Sequence, residues 1–153
     1  MPVEKNLDTL SMVSYDDNLE EHRKFKKELL NDESFQKYFG EMFIKKASDI
    51  FTSSDHIELK KAYLVKDIDQ IVGMIRIFSY HQSGVVNIQY AVRPSVRKQG
   101  YGSRILKEIS EFLIQNNIRT IEGDIDKNNI GSLKIATSLG YEKEDDKFRL
   151  RRK

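Results

Sequence analysis

Cysteine is absent from this chain, and that gap excludes disulfides, zinc thiolate sites and cysteine nucleophiles together. No apolar run approaches the ~20 residues that a membrane-spanning helix needs. Residues 1–15 also lack the charged-then-apolar pattern of a secretory signal, so a cytoplasmic location is the default expectation. Internal repeats, low-complexity stretches and long linkers are missing as well, and residues 1–153 read as a single domain. An excess of one charge is also missing. With 26 basic and 24 acidic side chains the net charge is +2, which gives no general pull toward nucleic acid. The densest basic cluster, Lys147-Phe148-Arg149-Leu150-Arg151-Arg152-Lys153, reads as a last strand with alternating charged positions rather than a nucleic-acid contact. The histidines His22, His56 and His81 have no metal-ligand spacing among them, and no metal is expected. What is present, 39% hydrophobic and 33% charged residues, fits a globular protein with one core.

Periodicity supplies the elements. Residues 8–14 read as a short first strand. Leu19 to Leu30 reads as a helix with Leu19, Phe25 and Leu29 or Leu30 turned inward. Phe35, Tyr38, Phe39, Met42, Phe43, Ala47 and Ile50 recur at helical spacing and predict a second helix. Residues 62–65 and 71–78 read as strands joined by a hairpin turn at Asp67-Ile68-Asp69-Gln70. The turn Gln82-Ser83-Gly84 leads into a further strand over 85–92. An amphipathic helix over about 101–116, apolar at Ile105, Leu106, Ile109, Phe112 and Leu113, precedes a strand over 119–125. Asn128 or Asn129 then caps a helix whose buried face is traced by Ile130, Leu133, Ala136 and Leu139, and Gly140 ends it. Short strands near 141–144 and 147–152 finish the chain. Strands 85–92 and 119–125, joined by a helix, should be parallel with a right-handed crossover, while the hairpins make the sheet mixed.

The most informative stretch is Val92-Arg93-Pro94-Ser95-Val96-Arg97-Lys98-Gln99-Gly100-Tyr101-Gly102-Ser103, which joins a strand to a helix. The first N–H groups of a helix have no internal partner and carry the positive end of its dipole. Two glycines leave those amides uncovered, and Arg97 and Lys98 add charge beside them. A phosphate or pyrophosphate fits such a corner, which lies at the carboxyl end of a parallel strand, where ligands of open α/β sheets bind. The spacing is not that of a P-loop, which needs G-x-x-x-x-G-K-[ST]. Nor is it a dinucleotide fingerprint, whose third glycine is replaced here by Ile105. It satisfies R/Q-x-x-G-x-G/A.

That pattern follows the end of a strand, opens an amphipathic helix, and precedes a strand and an Asn-capped helix ending in Gly140-Tyr141. The arrangement resembles the GCN5-related N-acetyltransferase (GNAT) superfamily, with residues 62–143 carrying the likeness. The resemblance implies an α/β fold: a central, mixed, mostly antiparallel twisted sheet of about 6–7 strands flanked by about 4 helices. It implies acetyl-CoA as cosubstrate, an amine-bearing small molecule or peptide as acceptor, and a family in which homodimers are common. Backbone amides of Gln99, Gly100, Tyr101, Gly102 and Ser103 would hold the pyrophosphate, with Arg97 and Lys98 beside it. The pantetheine arm would pair with the strand edge at Tyr90, Ala91 and Val92, and the Val92 amide would face the thioester oxygen. Asn129 and Ser132 are further cofactor candidates, Asn129 also serving as helix cap. Tyr101 is either a pocket lid or ordinary packing.

Acetyl transfer to an amine needs a neutral nucleophile. A lysine-like amine of pKa ~10.4 is handicapped by about 4.6 kcal/mol at pH 7, an α-amine near 7.8 by only about 1 kcal/mol. Many superfamily members protonate the departing thiolate with a tyrosine in the Asn-capped helix, at the position held here by Ala136. Some carry a glutamate early in the strand holding Val92, where this chain reads Val85-Val86-Asn87-Ile88-Gln89. Neither group carries over. Tyr90, Val92 and Asp126 remain as catalytic candidates, with Asp124 and His81 behind them. Direct attack in a ternary complex, with water-mediated deprotonation, needs no dedicated acid. The two missing groups also fit a non-catalytic acyl-CoA-binding or regulatory module.

Overall fold

Eight strands form one sheet in the computed structural model, which describes residues 4–37, 59–79, 84–123, 129–145 and 147–151. In chain order the elements are β1 (Glu4–Asn6), β2 (Ser11–Ser14), α1 (Glu20–Leu30), β3 (Leu59–Asp67), β4 (Gln70–Ser79) and β5 (Val85–Val92). There follow α2 (Tyr101–Gln115), β6 (Thr120–Gly123), α3 (Ile130–Ser138), β7 (Glu142–Glu144) and β8 (Lys147–Arg151). Residues 33–37 are helical as well. The strand order is β1-β2-β3-β4-β5-β6-β8-β7. Neighbours are antiparallel except β5 and β6, which are parallel because α2 carries the chain back between them. The mixed, mostly antiparallel sheet expected from sequence is present, with eight strands rather than six or seven.

The extra strand arises where residues 8–14 fold as the end of a hairpin rather than as one strand. Its turn is fixed from far away. Glu108 on α2, buried, accepts hydrogen bonds from the Thr9 and Leu10 N–H groups and from the Thr9 hydroxyl. Two helix faces also differ from the expectation. Leu19 is the N-cap of α1 and 41% exposed, so the inward face is His22, Phe25 and Leu29. Ile130 is 62% exposed, because the cap at Asn129 sets the first helical residue facing outward; Ile135, Ala136 and Leu139 pack on the core instead. The second predicted helix beyond residue 37, the turn residues Gln82 and Ser83, Asn128, and the end of the 119–125 strand lie outside the described residues.

The sheet has a core on each face. On one, Ile105, Leu106 and Ile109 of α2 pack over Val72, Ile75, Val86, Ile88 and Ile121. Each such fully buried side chain stabilises by about 1.5–3 kcal/mol relative to exposure. On the other, Phe25 and Leu29 of α1 and Phe35 cover Leu64, Ile71, Met74 and Ala91. The end of β5 lies between the two cores. Among the described residues no helix is long and apolar enough to cross a membrane.

Candidate active site

The direction of each main-chain group near the end of β5 follows from four contacts. Arg93 N–H donates to Val72 O at 2.8 Å, and Ala91 O approaches β4 so closely that a Cβ on Gly73 would lie 2.5 Å from it. Odd-numbered residues therefore face β4. Ile88 O lies 3.7 Å from where a Cβ on Gly123 would sit, and Val92 O accepts from Arg97 Nη2 at 3.5 Å. Even-numbered residues face the other way, toward β6. The paired register of β5 with β6 ends at Asn87 and Glu122, so by strand alternation the N–H groups of Tyr90 and Val92 point into the space beyond. Of the three residues expected at this edge, Tyr90 and Val92 present main-chain groups to the gap; those of Ala91 are turned to β4. On β4, the register shift between Val65 and Lys66 leaves Val72 as an extra residue, a bulge beside this edge.

A cleft of about 410 Å³ opens there. Tyr90, Ala91 and Val92 line one side; Arg97, Lys98, Gly100, Tyr101, Gly102 and Ser103 line the next; Asn129 and Ser132 complete it. Among the candidate cofactor residues, Gln99 alone is not part of the lining. Asp126, like Asp124 and His81, lies outside the described residues. Phe35, the first residue of the aromatic stripe read at helical spacing, walls the cleft as part of such a stripe can. Sequence reasoning missed Ser34, Gly131 and Ile135, which also face the cleft; Ile135 carries the helix periodicity of Asn129 and Ser132 and was within reach of that signal, and Ser34 was not.

At the start of α2, Gly100 takes a left-handed φ of +83° and has no side chain to cap the helix. The first amide of the turn with an acceptor is that of Arg104, bonded to Gly100 O. Among the described residues the N–H groups of residues 99–103 have no hydrogen-bond partner, and a Cβ on Gly100 would meet nothing within 4 Å. At Gly102 a Cβ would sit 3.0 Å from Ile135 Cδ1, so the missing side chain lets α3 approach α2. Asn129 caps α3, its Oδ1 accepting from Ser132 N–H at 3.3 Å.

The charged residues are divided between binding and bracing. Arg97 makes a two-pronged contact with Asp32, at 2.8 and 2.7 Å. Asp32 also accepts from Phe35 N–H at 2.8 Å, so Arg97 holds the Ser34–Phe35 wall in place and commits most of its guanidinium there. The Arg97 hydrogen bond, chiefly, holds the Asp32 carboxyl below its usual range. Lys98, exposed and at φ +66°, has no ion-pair partner among the described residues and is the cation left beside the amides. Glu28 braces the same loop, accepting from Arg93 Nε at 3.2 Å and from the Ser95 N–H and hydroxyl. Burial pushes Glu28 upward, but these hydrogen bonds outweigh it and its pKa is lowered. Tyr101 donates its hydroxyl to Asp67 at 2.7 Å beneath the Arg104 guanidinium. Its polar end is thus packing, and only its flank faces the cleft.

Two phenols, Tyr141 and Tyr90, pack on the same core cluster, and of the two only Tyr90 is part of the cleft lining. Tyr141 Oη pairs with Ser110 Oγ at 2.7 Å, and burial pushes its pKa up to about 12. Burial also raises Tyr90, with Ser132 acting in the opposite sense. Ala136, the position of the superfamily tyrosine, is fully buried. Elsewhere, the basic residues of β8 are used by carboxylates: Arg149 lies between Glu122 and Glu144, and Arg151 pairs with Glu144. Among the described residues no three His, Asp or Glu side chains group as metal ligands would.

The sequence model of the acetyltransferase (GNAT) family matches residues 19–141. No curated protein sequence matches the chain. Among solved structures, an acetyltransferase (GNAT family) from Bacillus anthracis superposes with a TM-score of 0.69 at 15% identity, covering 96% of both chains. The N-acetyltransferase PseH of Campylobacter jejuni gives 0.64 at 16%, over 95% of this chain and 100% of that one. Aminoglycoside acetyltransferase AAC(6')-Ib, solved in complex with coenzyme A, gives 0.67 at 15%, over 94% of each. At these identities the likeness is one of fold.

Proposed function

Because the chain belongs to the acetyltransferase (GNAT) family, we propose that its cleft takes acetyl-CoA and that it transfers the acetyl group to a primary amine by direct attack in a ternary complex. The observation that carries this reading is the pairing in one cleft of two main-chain sets without partners among the described residues: the first-turn amides of α2 and the edge of β5 beyond its register with β6. A diphosphate at the α2 amides would gain about 1.5–3 kcal/mol per hydrogen bond to a charged oxygen. The helix end adds about 0.3–1 kcal/mol, and Lys98 lies beside it. Pantetheine amides, spaced like a peptide, suit the N–H and C=O groups of Tyr90 and Val92 as an added strand would. That register brings the Val92 N–H toward the thioester oxygen, where one fixed donor stabilises the developing oxyanion. Asn129 and Ser132, at the cap of α3, close the opposite side. Water carries off the amine proton in this scheme, which suits an acceptor of modest pKa.

A thiol-release screen tests the reading. Acetyl-CoA is offered with peptide N-termini, lysine peptides, polyamines, amino acids and aminoglycosides. Release of CoA thiol that depends on one class of amine supports it. Tight CoA binding with no thiol release across the panel would instead favour the non-catalytic module that Ala136 leaves open.

A further inference from the structure

The first turn of α2 must hold its amides still without a capping side chain, and helix ends left to themselves fray. One residue closes this end twice over. The Arg104 N–H donates to Gly100 O at 3.2 Å and completes the turn, while the Arg104 guanidinium reaches out to two hairpin tips. Its Nη2 donates to Thr9 Oγ1 at 2.8 Å, in the turn between β1 and β2. Its Nη1 donates to Asp67 Oδ2 at 3.3 Å, at the end of β3. Both acceptors are bonded to α2 a second time. Thr9 donates its N–H and its hydroxyl to buried Glu108, and Asp67 accepts the Tyr101 hydroxyl at 2.7 Å. Tyr101, Arg104 and Glu108 stand at i, i+3 and i+7, on one face of the helix. A continuous chain of hydrogen bonds therefore runs Tyr101–Asp67–Arg104–Thr9–Glu108, crossing between α2 and the hairpins at every step.

Local preference does not account for this arrangement. A cation near the start of a helix opposes its dipole, and no acidic residue of the first turn offsets it. The Arg104–Asp67 pair leaves 38% and 25% of its side-chain surfaces exposed, so it stabilises the fold little. What the guanidinium does is fix the rotation and height of a turn whose residues Tyr101, Gly102 and Ser103 line the cleft. Resting on the acetyl-CoA reading above, we infer that Arg104 is a positioning residue for the diphosphate: by pinning the start of α2 to both hairpin tips, it aligns the amides of that turn before the cofactor arrives. Arg104 is not part of the cleft lining and acts through the turn. The gain is affinity from preorganisation, without a contact of its own.

The test reads CoA affinity by calorimetry well below Tm, where a purely structural contact leaves the dissociation constant of the folded protein unchanged. Arg104→Gln should weaken CoA about five- to tenfold. Arg104→Lys should weaken it nearly as much, because a lysine keeps the charge but lacks the planar fork that spans both tips. Thr9→Val, on a hairpin outside the cleft lining, should cost about threefold, and Thr9→Ser should bind CoA as the wild type does. Losses from Thr9→Val and Arg104→Gln should not add in the double variant, since one bond carries both. Full affinity in Arg104→Lys would reduce the residue to a charge and overturn the positioning role. Additive losses, or wild-type affinity in Arg104→Gln, would overturn it too. If Arg104→Gln does not fold, the Thr9 pair decides, and equal affinity in Thr9→Val and Thr9→Ser is the overturning result. Failure of the wild type itself to bind CoA removes the acetyl-CoA reading, and the inference with it.

Discussion

Gly73, behind the β5 edge, and Gly102, in the cleft lining, answer to different neighbours, and substitutions should separate them. At Gly73 an added Cβ would lie 2.5 Å from Ala91 O and 2.9 Å from Ile105 Cδ1. The first of these atoms is backbone in the strand that carries Tyr90 and Val92, so it cannot yield without moving the edge. Gly73→Ala should therefore cost about 1–3 kcal/mol and lower Tm by several degrees in scanning calorimetry; an unchanged Tm would mean that the edge gives way freely. At Gly102 the atom in the way is the tip of a flexible side chain, Ile135 Cδ1 at 3.0 Å. Space there is recoverable, but charge is not. Gly102→Asp sets a carboxylate against the amides that the diphosphate needs, and CoA affinity by calorimetry should fall tenfold or more. Equal affinity would show that the anion is held elsewhere.

At the scale of elements, α1 and the segment after it are tied to the loop before α2 by Glu28 and Asp32. Both carboxyls titrate below their usual values of 4.5 and 3.8. Depressed folded values mean that the stabilisation is complete above those pH values and is lost as pH falls through the lower, folded ones. Asp32→Asn keeps an acceptor for Phe35 N–H but removes the ion pair with Arg97. Because that pair is partly exposed, its loss should cost below about 1 kcal/mol at pH 7. The acid limb of a Tm-against-pH curve should nevertheless flatten below the ordinary carboxyl value of 3.8, and CoA should bind a few-fold more weakly as the Phe35 wall loosens. A limb identical to that of the wild type would place the acid sensitivity elsewhere. The same contact marks the boundary of what the sequence conveys. Strand 85–92, the glycine junction and the Asn129 cap are legible because local period and helix-end chemistry specify them. The role of Arg97 is not: its motif suggests an anion, and its partner Asp32 is 65 positions away. The β1–β2 hairpin is hidden for the same reason, being too short for a period and held by Glu108 across 99 positions.

For the molecule as a whole, the question is whether the acetyl group ever rests on protein. The chain has no cysteine, so a covalent route would need a serine of the cleft. Ser34, Ser103 and Ser132 line it, but a hydroxyl is a weak nucleophile unless a base stands within hydrogen-bond reach. The one described histidine, His22, is buried on α1, its Nδ1 accepting from Asp16 N–H, and burial lowers its pKa. It belongs to the opposite face of the sheet and activates nothing in the cleft. The acetyl group should therefore stay on sulfur until an amine arrives. Incubation with acetyl-CoA alone should leave the intact mass of the protein unchanged, and initial rates varied in both substrates should give intersecting double-reciprocal lines. Parallel lines together with an acetylated cleft serine in the mass spectrum would replace the ternary complex with a two-step exchange.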